Sequence, residues 1–160
     1  MNKALFLDRD GVLNRELGRY VESVDEFEIL PTVPEALGLA HAAGYLLILI
    51  SNQGGIAKGL YVLEDVYAMQ RKLEAAIRPF GARITEGYYC PHHPDKGRCL
   101  CRKPAPLMLQ KAMARFHIDA SSSFMIGDTP RDMEAAETAG VKGILVPSNS
   151  DLLETVKTLV

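Results

Sequence analysis

Near its start the chain carries four apolar residues, Ala4 to Leu7, that run without a break into Asp8-Arg9-Asp10-Gly11. A short continuous apolar run suits a strand covered on both faces of a parallel sheet, and ligands of open α/β sheets bind beyond the carboxyl ends of such strands. Two carboxylates two residues apart repel one another, which implies a bound cation, a shared proton, or both. Taken alone, Asp-x-Asp-Gly is also an ordinary solvated turn, because Asp and Gly are frequent turn residues. The choice depends on what the other strand ends carry.

Two further apolar runs end in polar groups. Tyr45 to Ile50 leads into Ser51-Asn52-Gln53-Gly54-Gly55, and Ser123 to Ile126 leads into Gly127-Asp128-Thr129-Pro130-Arg131-Asp132. A serine hydroxyl beside amide donors and glycines can seat a phosphate, although the same five residues alone would also make a plain loop. Further strands are read over Ile84 to Tyr89 and Gly143 to Val146. Helical spacing predicts helices from Thr32 as cap through Ala43, Leu63 to Phe80, Pro106 to His117, Met133 to Ala139, and Leu152 to Val160. Alternating strands and helices of this length predict a three-layer, Rossmann-like α/β domain with a mostly parallel sheet. Crossovers between parallel strands would bring Asp8, Asp10, Ser51 and Asp128 to one sheet edge.

With 160 residues, a single domain spanning 1–160 is expected. Charged residues are 24% and the net charge is −2, so no basic excess draws nucleic acid by its phosphates. No apolar run approaches the roughly 20 residues of a membrane span, and no leader pattern opens the chain. A cytoplasmic monomer acting on a small molecule is expected. The irregular segment Asn14 to Pro31 is long for a plain connection and is read as a substrate-facing loop, with Tyr20, Phe27 and Ile29 as packing points.

All three cysteines fall in Cys90-Pro-His92-His93-Pro-Asp-Lys-Gly-Arg-Cys99-Leu-Cys101. Cys90 with His92 and Cys99 with Cys101 have paired two-residue spacing, which fits a closed, structural Zn²⁺ site over 90–101. Free thiols or a local disulfide are the alternatives, and His93 is the alternative ligand to His92. Arg102 and Lys103 follow at once, so the stapled loop would hold two cations at a fixed place. Clustered Asp8, Asp10, Asp128 and Asp132 need a counter-charge, and an oxygen-rich acidic site selects a hard cation such as Mg²⁺. Such a set can transfer a phosphoryl group, one aspartate attacking phosphorus and the other moving the proton.

In these groups the chain resembles the haloacid dehalogenase superfamily of phosphohydrolases. Asp8-Arg9-Asp10-Gly11, Ser51-Asn52-Gln53, Arg102-Lys103-Pro104 and Gly127-Asp128 with Asp132 are similar to its four motifs, in order. The resemblance implies Asp8 as nucleophile and Asp10 as general acid and base. It implies Ser51, Asn52, Gln53, Arg102 and Lys103 as substrate or phosphate ligands. Mg²⁺ would be held by Asp8, Asp128 and the Asp10 carbonyl, with Asp132 acting from behind. The Cys-x-His…Cys-x-Cys insertion resembles the zinc-bearing branch that holds heptose bisphosphate and histidinol-phosphate phosphatases. Asn52-Gln53-Gly54-Gly55-Ile56-Ala57-Lys58-Gly59 is closer to the heptose pattern. That implies removal of one phosphate from D-glycero-D-manno-heptose 1,7-bisphosphate, with histidinol phosphate, or a non-catalytic phosphate-binding module, as alternatives. Asn14, Gln53 and Lys58 are further candidates for sugar or second-phosphate contacts. No large cap domain is implied, so the loops would set specificity.

Overall fold

The structure is a computed structural model that describes residues 1–160. Five strands form one sheet: β1 Lys3–Leu7, β2 Tyr45–Asn52, β3 Glu86–Cys90, β4 Phe124–Gly127 and β5 Lys142–Leu145. Their order is β3-β2-β1-β4-β5 and every pairing is parallel. Five helices connect them: α1 Val33–Ala42, α2 Leu63–Ile77, α3 Leu107–Phe116, α4 Pro130–Thr138 and α5 Leu152–Lys157.

Side chains of a strand alternate between faces, and here both faces are apolar. Leu5 and Leu7 of β1 and Leu47 and Leu49 of β2 enter one core with α1, α2 and α5. Ala4, Phe6, Ile48 and Ile50 enter the other, against α3 and α4. That is why these runs show no polar alternation in sequence. Each fully buried Leu or Ile among them contributes roughly 1.5–3 kcal/mol by leaving water.

From β1 the chain proceeds to β2 and β3 on one side, then returns to place β4 on the other side of β1. The reversal lies at the carboxyl ends of β1 and β4, where a crevice opens in folds of this type. Asp8 and Asp128 immediately follow these strands, and the Asp8 N–H donates to the Ile126 carbonyl at 3.0 Å.

Several expectations are corrected. Thr32 makes no side-chain cap to α1, and its hydroxyl instead accepts from the Leu153 N–H at 3.5 Å, tying α1 to α5. The fourth helix starts at Pro130 rather than Met133, because Thr129 and Asp132 form a capping box with Pro in the first turn. The third strand starts at Glu86 and ends on Cys90, so the first cysteine is anchored in the sheet. Asn14 to Pro31 divides between the core and the crevice. Val21, Phe27 and Leu30 are buried in the first core, and Lys72 donates to the Val24 and Phe27 carbonyls at 3.1 and 2.7 Å. Only its tip, including Glu16, Arg19 and Tyr20, reaches the crevice. No helix is long and apolar enough to cross a membrane.

Candidate active site

The end of β1 separates two carboxylates by burying the residue between them. Asp8 faces the crevice, while Arg9 turns down into the core, 1% exposed, with its guanidinium 5.3 Å from the Phe27 ring centroid. There it grips Asp10 with two hydrogen bonds, 2.9 and 3.2 Å. Asn14 and Gln53 each donate a further bond to Asp10 at 2.9 Å. Burial pushes the Asp10 carboxyl up, but the Arg9 charge and the bonds from Asn14, Arg9 and Gln53 outweigh it and hold Asp10 below its ordinary value.

Gly11 then reverses the chain at φ +87°, and a Cβ there would lie 2.1 Å from Asp128 Oδ2. Only a residue without a side chain lets the turn approach Asp128 so closely.

Lys103 is 3% exposed and reaches the floor of the crevice. Its ammonium donates to Asp8 at 2.9 Å, to the Ile50 carbonyl at 2.7 Å and to Asp132 at 2.6 Å. The Asn52 side chain clamps its peptide, accepting from the Lys103 N–H at 2.9 Å and donating to the Lys103 carbonyl at 3.1 Å. The other Asp132 oxygen accepts from the Thr129 N–H and hydroxyl at 3.2 and 3.0 Å. One carboxylate thus caps α4 and aims the lysine.

Carboxylate oxygens of Asp8, Asp128 and Asp132 lie within 4.8 Å of one another. Burial lifts Asp8 to about 8; Lys103 pulls it down, while Asp132 and Asp10 add to the rise. Lys103 itself stays charged: burial lowers it, but Asp8 and Asp132 raise it further. One buried cation therefore does not balance the acids around it. An all-oxygen donor set short of positive charge fits a hard divalent cation.

The crevice has a volume of about 620 Å³ and takes in Asp8, Asp10, Asn52, Arg102, Lys103 and Asp128. Ser51 and Gln53 lie beneath it. Both are 1% exposed, Gln53 donates to the Ser51 hydroxyl at 2.8 Å, and Tyr61 donates to Gln53 at 2.6 Å. Asn14 is fully buried on Asp10. Gln53 and Asn14 therefore hold the Asp10 carboxylate in this structure rather than face the crevice. Lys58 also stands outside the lining residues, 3.9 Å from Asp95 and 5.9 Å from the Tyr20 ring centroid.

Beside the crevice, Cys90, His92, Cys99 and Cys101 bring one ligand atom each within 4.8 Å of the others. His92 Nδ1 is 3.2 Å from Cys101 Sγ, and Cys90 Sγ is 3.7 Å from Cys99 Sγ. Tetrahedral zinc with Zn–S near 2.3 Å separates its sulfurs by about 3.8 Å. His93 faces away from this cluster, lining the crevice and accepting the Asp95 N–H at 3.1 Å. The cysteines form no disulfide. Against the upward push of burial, backbone N–H groups of Arg102 and Cys101 hold the Cys99 thiol below its ordinary value.

Comparison with known proteins decides the family. A HAD-hydrolase-like family model matches residues 100–158. A D-glycero-beta-D-manno-heptose-1,7-bisphosphate 7-phosphatase of Pasteurella multocida is 40% identical, over 98% of this chain and 88% of that protein. The chain belongs to the heptose 1,7-bisphosphate phosphatase family. A second member, from Chlorobaculum tepidum, is 41% identical over 90% of this chain and 78% of its own. Among solved structures, D,D-heptose 1,7-bisphosphate phosphatase from B. bronchiseptica, complexed with magnesium and phosphate, superposes with a TM-score of 0.86. It is 34% identical and covers 98% of this chain and 86% of that one.

Within this family fold, some groups escaped the sequence reading. Arg9 could have been found, since an arginine between two aspartates at the end of a buried strand has carboxylate partners at hand. Tyr61 carried no such signal, because its contact with Gln53 exists only after the loop beyond β2 has folded back.

Proposed function

We propose that the chain is a Mg²⁺-dependent phosphatase that removes the 7-phosphate of D-glycero-D-manno-heptose 1,7-bisphosphate through a phosphoryl-Asp8 intermediate. The observation that carries the reading is the meeting of Asp8, Asp10, Lys103, Asp128 and Asp132 at the crevice where the strand order reverses. Asp8 attacks phosphorus, and the bond to the leaving sugar oxygen breaks. Asp10 gives that oxygen its proton, then takes one from water as the water attacks phosphorus, which releases inorganic phosphate and restores Asp8.

The resting Asp10 is held ionised, so donation requires a higher pKa. A phosphoryl dianion seated beside it supplies that rise by like-charge repulsion. Lys103 sits against the attacking carboxylate at 2.9 Å and would share its donors with the phosphoryl oxygens. Mg²⁺, held by Asp8, Asp128 and the Asp10 carbonyl, would supply neutralisation of charge on the transferring group. Asp132 is committed to Lys103 and Thr129 and acts through them.

A structural Zn²⁺ on Cys90, His92, Cys99 and Cys101 would fix the loop that delivers Arg102 and Lys103. Arg19, Arg102 and Arg131 around the crevice suit a second anionic group and disfavour the amine of histidinol phosphate.

The test is inorganic phosphate release in Mg²⁺ from both anomers of heptose 1,7-bisphosphate and from histidinol phosphate, with Asp8→Asn as the blank. One phosphate per bisphosphate, with little release from histidinol phosphate, is expected. Preference for histidinol phosphate, or turnover surviving in Asp8→Asn, would overturn the reading.

A further inference from the structure

Beneath the crevice a buried amide is held in one orientation by the chemistry of its neighbours. Asp10 is ionised and can only accept, so the Gln53 atom 2.9 Å from it is the nitrogen, Nε2. That nitrogen gives its second N–H to the Ser51 hydroxyl oxygen at 2.8 Å. The carbonyl oxygen, Oε1, therefore points the other way, where the Tyr61 hydroxyl donates to it at 2.6 Å. Burial raises the Tyr61 hydroxyl above its ordinary value, so it stays protonated and remains a donor. All three side chains are enclosed, Tyr61 at 5% exposure and Gln53 and Ser51 at 1% each.

The loop after β2 is folded so as to bring Tyr61 to this place. The Ile56 N–H donates to the Gln53 carbonyl at 3.2 Å and the Leu60 N–H to the Gly55 carbonyl at 3.0 Å, which turns the chain back on itself. The Tyr61 ring then lies against Gly55, where a Cβ would come 2.3 Å from Cε1 and 3.0 Å from the hydroxyl oxygen. Only a residue without a side chain permits that approach. Without the Tyr61 hydroxyl, Oε1 would be a buried acceptor with no donor, which is costly. An amide that rotated to relieve this would set its oxygen against the Asp10 carboxylate.

Asp10 is the acid and base of the transfer proposed above, and the role of Tyr61 rests on that reading. Because Ser51 accepts from Gln53, its own proton is not directed at that amide, and it has no acceptor within the chain. We propose that Tyr61 is a positioning residue of phosphoryl transfer: through Gln53 its hydroxyl fixes the Asp10 carboxylate and leaves the Ser51 proton for the transferring phosphoryl oxygens. The hydrogen bonds run one way, from Tyr61 to Gln53 and from Gln53 to both Asp10 and Ser51. Tyr61 is not among the residues lining the crevice, so its influence falls on the rate of transfer rather than on substrate affinity.

The test is a double-mutant cycle on kcat for heptose 1,7-bisphosphate in Mg²⁺, with Tyr61→Phe, Gln53→Met and the two combined. Tyr61→Phe removes only the hydroxyl and keeps the ring on Gly55, so the fold should hold. Its kcat should fall about tenfold, the effect of one buried hydrogen bond left unmade, with KM within about twofold of the wild type. Gln53→Met should lower kcat further, and the double variant should match Gln53→Met, because Tyr61 acts only through the amide. Gln53→Asn, too short to span from Tyr61 to Asp10, takes the place of the methionine variant if that one does not fold. A wild-type kcat in Tyr61→Phe would overturn the positioning role alone. So would a double variant whose loss is the product of the two single losses, as a merely structural role would give. A wild type that releases no phosphate from the bisphosphate would overturn the functional reading, and the role of Tyr61 with it.

Discussion

Lys103 and Asp132, 29 residues apart in the chain, meet in a 2.6 Å ion pair beneath the crevice, with the lysine 3% and the aspartate 2% exposed. Removing one partner of a buried pair leaves the other charge unpaired, at a cost of about 3–5 kcal/mol. Lys103→Met should lower stability by that order, because it strands both Asp8 and Asp132. Asp132→Asn keeps the shape of the cap on Thr129 but frees the lysine to move. It should stay folded and lose roughly tenfold or more in kcat. Urea unfolding beside steady-state phosphate release checks both, and an Asp132→Asn enzyme with wild-type kcat would remove Asp132 from the positioning of Lys103.

Gly127 is the close-packed point behind this pair. A Cβ there would come 2.3 Å from the Asp132 Cβ and 2.4 Å from its Cγ, and α4 holds that side chain in place. Gly127→Ala should therefore cost about 1–3 kcal/mol by overpacking and reduce kcat with it. Gly11→Ala should act on Asp128 in the same way, with backbone strain added by its positive φ. Thermal unfolding and kcat should fall together in both variants. An unchanged kcat in Gly127→Ala would show that the site tolerates a shifted Asp132.

Arg9 stabilises the fold through Asp10, and that contribution depends on pH. The Asp10 pKa is depressed in the folded chain, so its stabilising effect is fully present above the unfolded carboxylate value of about 3.9 and is lost as pH falls through the lower folded value. Arg9→Met removes the largest depressing influence while retaining an apolar side chain near Met69 and Phe27. It should cost about 2–3 kcal/mol near neutral pH, less than for a fully buried pair because Asp10 is 25% exposed. The deficit should shrink as pH falls below about 3.9, where the unfolded-state carboxyl protonates, toward the lower folded value of Asp10. Urea midpoints across this range test it, and a pH-independent deficit would assign Arg9 to packing alone.

With the proposed Zn²⁺ on the thiol cluster, removing the metal should affect function before fold. Cys90 belongs to β3, but Cys99 and Cys101 lie in the loop that continues into Arg102 and Lys103. A zinc chelator should reduce kcat roughly tenfold or more and speed amide exchange over 90–103 while β1 and β2 keep their protection. Exchange measured by mass spectrometry distinguishes this from global unfolding. Full activity after loss of zinc would contradict the link between staple and site.

Much of this arrangement was legible in the chain because it rests on short-range patterns. The double-sided apolar runs of β1 and β2 announced a parallel sheet, and their terminal Asp8 and Ser51 marked the edge where the crevice opens. The paired spacing of Cys90 with His92 and Cys99 with Cys101 marked the thiol cluster. Contacts made by distant segments were less legible. Gln53 looked like a ligand-facing amide but turns down onto Asp10, held by Tyr61, and no periodicity records that direction. The segment from Asn14 to Pro31 lacked helical or strand period, yet Val21, Phe27 and Leu30 are buried at irregular intervals.

Asp8 is proposed to carry the phosphoryl group between substrate and water. The direct measurement is acid quenching of the enzyme during steady-state turnover of heptose 1,7-bisphosphate in Mg²⁺, followed by mass spectrometry of the peptide containing Asp8. One added phosphoryl mass on Asp8 is expected, present in the wild type and absent from Asp8→Asn. Turnover with the phosphoryl group on another residue, or with Asp8 never modified, would contradict it.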